Sequence, residues 1–394
     1  MTRGNRSLIL LILVILAGII VPWNAPIVLL IRALTPALAA GCTVVIKAAH
    51  QTSMVNQLTL ECLTRITTLP ADVVCSFTES GAAIGRAISQ SPHIDVISFT
   101  GSSATGKRIA ADAAGTLKRL SLELGGKAPA IVCPDAPLAT TVAGLVAGAL
   151  PMAGQQCTAI ARVLVHESRF DEFAKALAER LSSLVLGPGH EPGSQLGPLI
   201  DLANRDRVAR LAQDAAQHGR VWLQGGVPTG PLARGAFITP TLMEVADLGS
   251  CYIQEELFGP VLVIERYADR AGAIARANAT RYGLAASVWS ADRTAGQSMA
   301  RELKCGTVWM NAHNKLFPEA ETGGFRESGF GRLHGVEGLS DFLSTVRQIA
   351  DILTAIMPQV HELSDDETLT YLHGCISTKR HYVKAPETPA YLDA

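Results

Sequence analysis

The sequence predicts an α/β protein, a doubly wound parallel-sheet unit followed by a second α/β unit. Two observations carry that reading. Between residues 43 and 124 short β-branched runs alternate with stretches whose apolar residues recur at helical spacing, and a second such series runs from about 126 to 325. Strands separated by helices are joined by crossovers, which make a sheet parallel and lay helices on its faces. The 394 residues suffice for two or three cores.

The elements follow in order. After Arg3 and Arg6 comes the uncharged run LILLILVILAGIIV, Leu8 to Val21, which stops at Pro22. It falls short of the roughly 20 residues a spanning helix needs. It resembles a secretory leader, but no A-x-A cleavage site follows. Its second half, Ala17 to Val21, reads as a buried parallel strand, with membrane association through residues 8–21 as the second reading. TVVIK (43–47), DVVCSF (72–77), DVISFTG (95–101) and LKRLSLEL (117–124) read as further strands. In the second unit come APAIVC, a small-residue helix through Leu150, ARVLVH, and an amphipathic helix from Arg169 to Leu184. The Gly- and Pro-rich LGPGHEPGSQLGP separates that helix from another at Asn204 to His218. Domain boundaries fall at 1–125 for a partial dinucleotide-binding domain and 126–325 for a catalytic domain. A returning segment occupies 326–353, and a polar, Pro-containing tail without periodicity occupies 354–394.

Hydrophobic residues make up 48%, charged residues 18%, and the net charge is -1, which disfavours both a disordered chain and a nucleic-acid partner. Eight cysteines are scattered with no C-x-x-C pair, so neither a zinc ribbon nor a disulfide framework is expected. A reducing, cytoplasmic setting fits that usage. No H-E-x-x-H occurs, so no metal is expected.

Three motifs carry chemistry. FTGSSATGKRIA contains G-x-x-x-x-G-K, Gly101 to Lys107, but a triphosphate loop needs Ser or Thr after the lysine, and Arg108 stands there. What remains is strand, glycine turn and helix: Gly101 permits the turn, Ser102 offers a hydroxyl, and the helix start offers free N–H groups to a pyrophosphate. In GQQCTAIAR, Cys157 follows a small-residue helix and is a candidate nucleophile. In LSLELGGKAPAIV, Glu123 interrupts an apolar strand end, where a carboxylate needs a partner or a task; a raised pKa would make it a general base. Taken singly, an ordinary turn and an inert buried cysteine are the simpler readings of the first two.

Together the motifs reinforce one another. The order FTGSSATG, LELGGK, GQQC, with PWNAP upstream and EELFGPV downstream, resembles the NAD(P)-dependent aldehyde dehydrogenase family over about residues 17 to 345. The resemblance implies oxidation of an aldehyde to a carboxylic acid, with NAD or NADP accepting the hydride. It makes Cys157 the nucleophile, passing through a thiohemiacetal and a thioester. Asn24 and the Cys157 N–H become the oxyanion donors, and Glu123 becomes the base that activates the hydrolytic water. Ser102 and the Gly101 turn match the pyrophosphate contact, Lys47 the lysine at the adenosine ribose, and Glu256 the glutamate at the nicotinamide ribose. Phe258 would pack beside that ribose, with Trp23 also among the cofactor residues. The family often has K-P-A-E where this chain has KAAH; His50 in place of that glutamate removes a repulsion toward a 2′-phosphate, so NADP is expected to be tolerated or even preferred, an exposed bystander being the other reading of His50.

ETGGFRESGFGR matches a family motif with Glu321 where proline is usual and Arg326 where lysine is usual. FLSTVRQIADIL lies where the family places a subunit-pairing strand, which implies a homo-oligomer. Family members carry roughly a hundred or more residues ahead of PWNAP and this chain has 21, so the first part of the cofactor domain is expected to be missing. An exposed sheet edge and apolar surface would follow. Two other readings stand beside the active enzyme. One is a shortened, inactive member acting by association or at a membrane; the other, disfavoured by Glu123, is a coenzyme A-acylating semialdehyde dehydrogenase. Gln156 and Thr158 flank the nucleophile, and their small polar side chains suit aliphatic and aromatic aldehydes alike.

Overall fold

The computed structural model describes residues 16–343. Its first sheet is built from β1 (Leu16–Ile20), β2 (Thr43–Ala49), β3 (Val74–Glu79), β4 (Val96–Thr100) and β5 (Arg119–Glu123), all parallel, in the spatial order β5-β4-β1-β2-β3. β1 is therefore central, with Leu16 paired to Thr43 and Ala17 to Val96. A strand covered on both faces has no need of polar residues, which is why LAGII is apolar throughout. On one face Ala17 and Ile19 pack against Leu30, Ala33 and Leu34 of α1 (Pro26–Ala39), backed by α2 (Ser53–Leu63). On the other, Ile20 and Ile97 meet Ile88 of α3 (Ala83–Gln90) and Ile109 of α4 (Ser103–Ala113).

β3 forms the edge of this sheet, and its Phe77 is half exposed. Ile27 and Val28 on α1, and Met54 and Leu58 on α2, are exposed as well. The apolar surface expected from the sequence is thus present. The strand expected from residue 117 starts two residues later, because Leu117 adopts a left-handed backbone with φ 52°.

The second sheet contains β6 (Ala128–Val132), β7 (Ile160–His166), β8 (Arg220–Leu223), β9 (Thr241–Glu244), β10 (Val261–Tyr267), β11 (Ala285–Trp289) and β12 (Thr307–Met310), in the order β12-β11-β6-β7-β10-β9-β8. Every pair is parallel except β8 with β9. α5 (Leu138–Ala149) and α6 (Phe170–Ser182) share one core with it, α7 (Leu202–His218) and α8 (Cys251–Gln254) a second, and α9 (Arg270–Ala277) and α10 (Arg293–Ala300) a third. α6 starts at Phe170 because residues 167–169 form a separate tight turn. α7 starts ahead of Asn204 because Asp201 caps it, accepting from the Asn204 N–H at 2.8 Å.

Inside this sheet the guanidinium of Arg162 grips Glu265 with two bonds of 2.6 and 3.0 Å, both side chains fully buried, and Arg276 adds a third contact at 3.2 Å. Desolvating such a pair is costly unless its hydrogen bonds are satisfied, and the extra bond from Arg162 to the Arg276 carbonyl at 2.8 Å helps to satisfy them.

The chain passes from the first sheet to the second between Glu123 and Ala128, then returns as β13 (Gly329–Phe330), antiparallel to β5, before α11 (Glu337–Ser340). Among the described residues no helix is long and apolar enough to cross a membrane. The first half of the N-terminal apolar run, nearly all of FLSTVRQIADIL and the 354–394 tail lie outside the described residues.

Candidate active site

The short crossing between the sheets organises the site. Gly125 and Gly126 lie so close to their neighbours that a β-carbon on Gly125 would meet Glu256 Oε2 at 2.6 Å, and one on Gly126 the Cys157 carbonyl oxygen at 2.3 Å. The glycine pair in LELGGK is there for proximity. It draws the Cys157 loop and Glu256 against the end of β5.

Glu123 is the last residue of β5, flanked in register by Thr100 of β4 and Gly329 of β13. It is 5% exposed, and its Oε1 has no hydrogen-bond partner among the described residues. Burial pushes its carboxyl up from 4.5 to about 7; Arg32, Arg332 and the Gly324 N–H oppose that rise, while Asp341 adds to it.

Cys157 is delivered by a tight turn, Pro151–Gly154, that follows α5. Met152 and Ala153 hold left-handed backbone there, with φ of 49° and 57°. Gly154 continues with φ 79°, and a β-carbon on it would strike the Gly259 carbonyl oxygen at 2.6 Å. The loop is pinned by Gln155, whose side-chain oxygen accepts from Ile200 N at 2.9 Å and Asn204 Nδ2 at 3.2 Å. Burial pushes the Cys157 thiol up to about 12; Arg32 pulls against this, Glu256 and Glu123 reinforce it, and the Thr158 N–H eases it. At rest the nucleophile candidate is a thiol.

Asn24 stands just ahead of α1 and donates from Nδ2 to the Gln155 carbonyl at 2.9 Å, which holds its amide beside the cysteine loop. Glu256 accepts from the Gly126 N–H at 3.0 Å; burial raises its carboxyl to about 7, against that bond and the charges of Lys127 and Arg207. Phe258, in left-handed backbone at φ 50°, meets Trp23 edge to face with ring centres 5.6 Å apart. Trp23, Asn24, Glu123, Cys157, Glu256 and Phe258 therefore lie around the glycine crossing, linked to it or to one another through these contacts.

The remaining expected residues line the carboxyl edge of the first sheet, where open α/β sheets bind ligands. Lys47 lies near the end of β2, partly buried, and His50 begins the turn after it, exposed. Gly101 donates its N–H to the Glu123 carbonyl at 3.0 Å, tying the glycine turn to the strand that carries Glu123. Ser102 caps α4, its Oγ accepting from the Thr105 N–H at 3.2 Å. No side chain among the described residues occupies the amides of Ser103 and Ala104, which suits a phosphate. No hydrogen bond among the described residues links the side chains of Lys47 or His50 to the residues around the glycine crossing. Lys107 lies outside the turn, paired with Glu327 at 2.9 Å.

Four residues had no expectation attached. Arg32 projects from α1 and donates to Thr100 Oγ1 at 3.3 Å. Lys127 is 2% exposed with an amine that has no partner among the described residues, and burial lowers it to about 7. Asn314 accepts from Thr158 Oγ1 at 2.7 Å and Gln156 Nε2 at 3.4 Å, and His313 shares a 2.7 Å hydrogen bond with the Thr158 carbonyl. The lysine of LELGGK was visible in the quoted motif. Arg32, His313 and Asn314 lie in ordinary helix and loop sequence and offered no signal of their own.

Comparison with known proteins identifies the family. Residues 14–347 match the Aldehyde dehydrogenase family. The chain is 36% identical over 329 residues to the phenylacetaldehyde dehydrogenase of Pseudomonas fluorescens, covering 83% of this chain and 65% of that protein. It is 35% identical over 335 residues to the chloroplastic betaine aldehyde dehydrogenase of Beta vulgaris, covering 85% and 67%. Thus it spans about two thirds of the length of the curated relatives it matches. Among solved structures, a Mycobacterium tuberculosis aldehyde dehydrogenase complexed with NAD+ superposes with a TM-score of 0.80 at 37% identity, covering 84% of this chain and 68% of that one. A betaine aldehyde dehydrogenase from Staphylococcus aureus in complex with NAD+ gives 0.81 at 34%, covering 84% and 66%. By sequence, fold and the placement of its motifs, the chain belongs to the aldehyde dehydrogenase family.

Proposed function

We propose that this protein oxidises a small aldehyde to a carboxylic acid with NAD or NADP as hydride acceptor, by covalent catalysis on Cys157. One observation carries the reading: a thiol, a buried carboxyl with an oxygen unpartnered among the described residues and an anchored amide meet at the glycine crossing between the two sheets. Cys157 gives up its thiol proton to solvent and adds through its sulfur to the aldehyde carbon, and Asn24 with the Cys157 N–H stabilises the developing oxyanion. A nicotinamide dinucleotide, when bound, would supply the hydride acceptor needed for this adduct to become a thioester. Glu123 then takes a proton from water as the water attacks the thioester carbon, and Cys157 leaves with the acid released. A carboxyl poised near 7 is suited to accept and return that proton at neutral pH.

The residues present fit the dinucleotide. Uncapped amides at the start of α4 and the Ser102 hydroxyl suit its pyrophosphate, Lys47 suits the adenosine ribose, and Glu256 with Phe258 and Trp23 suits the nicotinamide ribose. His50 leaves no carboxylate against a 2′-phosphate, so both dinucleotides should serve. A preference for NAD of a hundredfold or more in kcat/KM would overturn this. In this reading the cofactor and catalytic units divide near residue 125, with the segment from 326 returning to the first sheet.

A panel of aldehydes followed through NAD(P)H absorbance tests the proposal. Turnover by the wild-type chain and none by Cys157→Ala is expected; a folded wild-type chain without turnover rejects it. A second reading, a member that works only in association with further polypeptide, is favoured by the exposed Ile27, Val28, Met54, Leu58 and Phe77. Molecular mass in solution, measured with and without activity, separates the two.

A further inference from the structure

The lysine of GSSATGK and the turn inside GGFRESGFGR have no part in the proposed chemistry, yet the structure brings them together. The chain returns to the first sheet through a tight turn at Arg326–Ser328, with Arg326 in left-handed backbone at φ 55°. Ser328 is fully buried and anchors that turn at the glycine crossing, donating from Oγ to the Gly125 carbonyl at 2.7 Å and accepting from the Gly283 N–H at 3.0 Å. Glu327 is thereby held over α4. Its carbonyl accepts from Ser103 Oγ in the first turn of that helix at 2.7 Å, and its Oε2 meets Lys107 Nζ one turn further on at 2.9 Å. The same oxygen also faces the second unit. Arg281, in the loop between α9 and β11, reaches it from Nε at 3.0 Å, and the Glu327 N–H donates to the Arg281 carbonyl at 3.1 Å. With its two terminal nitrogens that guanidinium grips Glu255 at 2.9 and 2.6 Å. Glu255 precedes Glu256, whose carboxyl rests on the Gly126 N–H. An unbroken line of alternating charge, Lys107–Glu327–Arg281–Glu255, therefore joins the helix assigned to the pyrophosphate to the residue beside the nicotinamide-ribose glutamate.

We propose that Glu327 is a positioning residue for the dinucleotide, bridging Lys107 and Arg281 so that the two ends of the cofactor site keep a fixed separation. This rests on the cofactor reading given under the proposed function. The bridge is a poor source of stability: its four side chains are between 33 and 60% exposed, and ion pairs so open to water add little to folding. What the fork on Glu255 and the shared oxygen of Glu327 supply is geometry. A dinucleotide spanning α4 and Glu256 binds well only when both its ends are met at once, and any freedom between those ends is lost again on binding.

ADP and NAD separate this role from a structural one, because ADP carries the adenosine and the pyrophosphate and lacks the nicotinamide ribose. In fluorescence titrations of the whole chain, Glu327→Gln should weaken NAD by about threefold to fivefold and leave ADP unchanged. Lys107→Gln should act in the same sense, and the double variant should weaken NAD no more than Glu327→Gln alone, since both changes break one line. Raising the ionic strength should shrink the difference between wild type and variant. Unchanged NAD binding in Glu327→Gln overturns the proposal. Equal weakening of ADP and NAD also overturns it, since that confines Glu327 to α4, and so do additive losses in the double variant. If Glu327→Gln does not fold, Arg281→Lys decides. It keeps the charge and loses the fork, so a selective loss of NAD sustains the assignment and any other pattern rejects it. A wild-type chain that binds both ligands, with variants that treat them alike, rejects this inference only; a wild-type chain that binds neither rejects the cofactor reading and this inference with it.

Discussion

At Glu123 burial wins over two guanidinium groups, and the sign of that contest fixes what the residue can do. Held near 7, it is largely neutral at pH 6 and largely charged at pH 8, so thioester hydrolysis should accelerate as pH rises through neutrality. Glu123→Gln should lower kcat by about a hundredfold or more, while one equivalent of NAD(P)H per site still forms in a rapid burst. Stopped-flow absorbance checks both parts. A burst followed by unimpaired turnover would remove Glu123 from the hydrolytic step. The residue was legible as a candidate because a carboxylate at an apolar strand end is costly. Arg32 was not, since one arginine in an amphipathic helix looks like any solvated charge, and only the placement of α1 over β4 brings it to the site.

At the scale of elements, the two sheets were legible from β-branched runs and helical spacing, and the ends of elements less so. Leu117 in left-handed backbone and the Asp201 cap each moved a boundary by two residues, through local geometry that periodicity does not encode. The glycine crossing was quoted as a motif, but its reason is visible only in three dimensions: β-carbons have no room there. Gly126→Ala should therefore push the Cys157 carbonyl aside, destabilise the chain by about 1–3 kcal/mol and slow Cys157 labelling, as urea titration and mass spectrometry would show. Ser102→Ala removes a cap worth about 1 kcal/mol and a hydroxyl from the turn, so weaker dinucleotide binding by fluorescence titration should accompany a small loss of stability. Glu265→Gln strands Arg162 in a fully buried place and should cost about 3–5 kcal/mol, well beyond either of the other two.

For the molecule as a whole, three desolvated groups, two of them buried, set a pH dependence of stability. Glu123 and Glu256 have folded values near 7, above the ordinary 4.5, so the folded state holds extra protons between those values and loses stability as pH rises across that window. Lys127 is lowered from 10.5 to about 7, so the folded state holds fewer protons between 7 and 10.5 and gains stability as pH rises there. Their joint contribution is least favourable near neutrality. Urea midpoints at pH 5.5, 7 and 9 should show it, and Lys127→Met should flatten the upper rise. A rise that persists unchanged in that variant would assign it to other groups.

The position of β1 has a consequence for how the chain is made. It leaves the ribosome before both of its partners, yet Leu16 must wait for Thr43 and Ala17 for Val96. Until β4 follows, an unbroken apolar strand has one neighbour at most and an open ladder on its other side. The centre of the first sheet is thus the segment most exposed to mispairing during synthesis. Newly made chains should depend on chaperones until about the point at which β4 emerges, and much less thereafter.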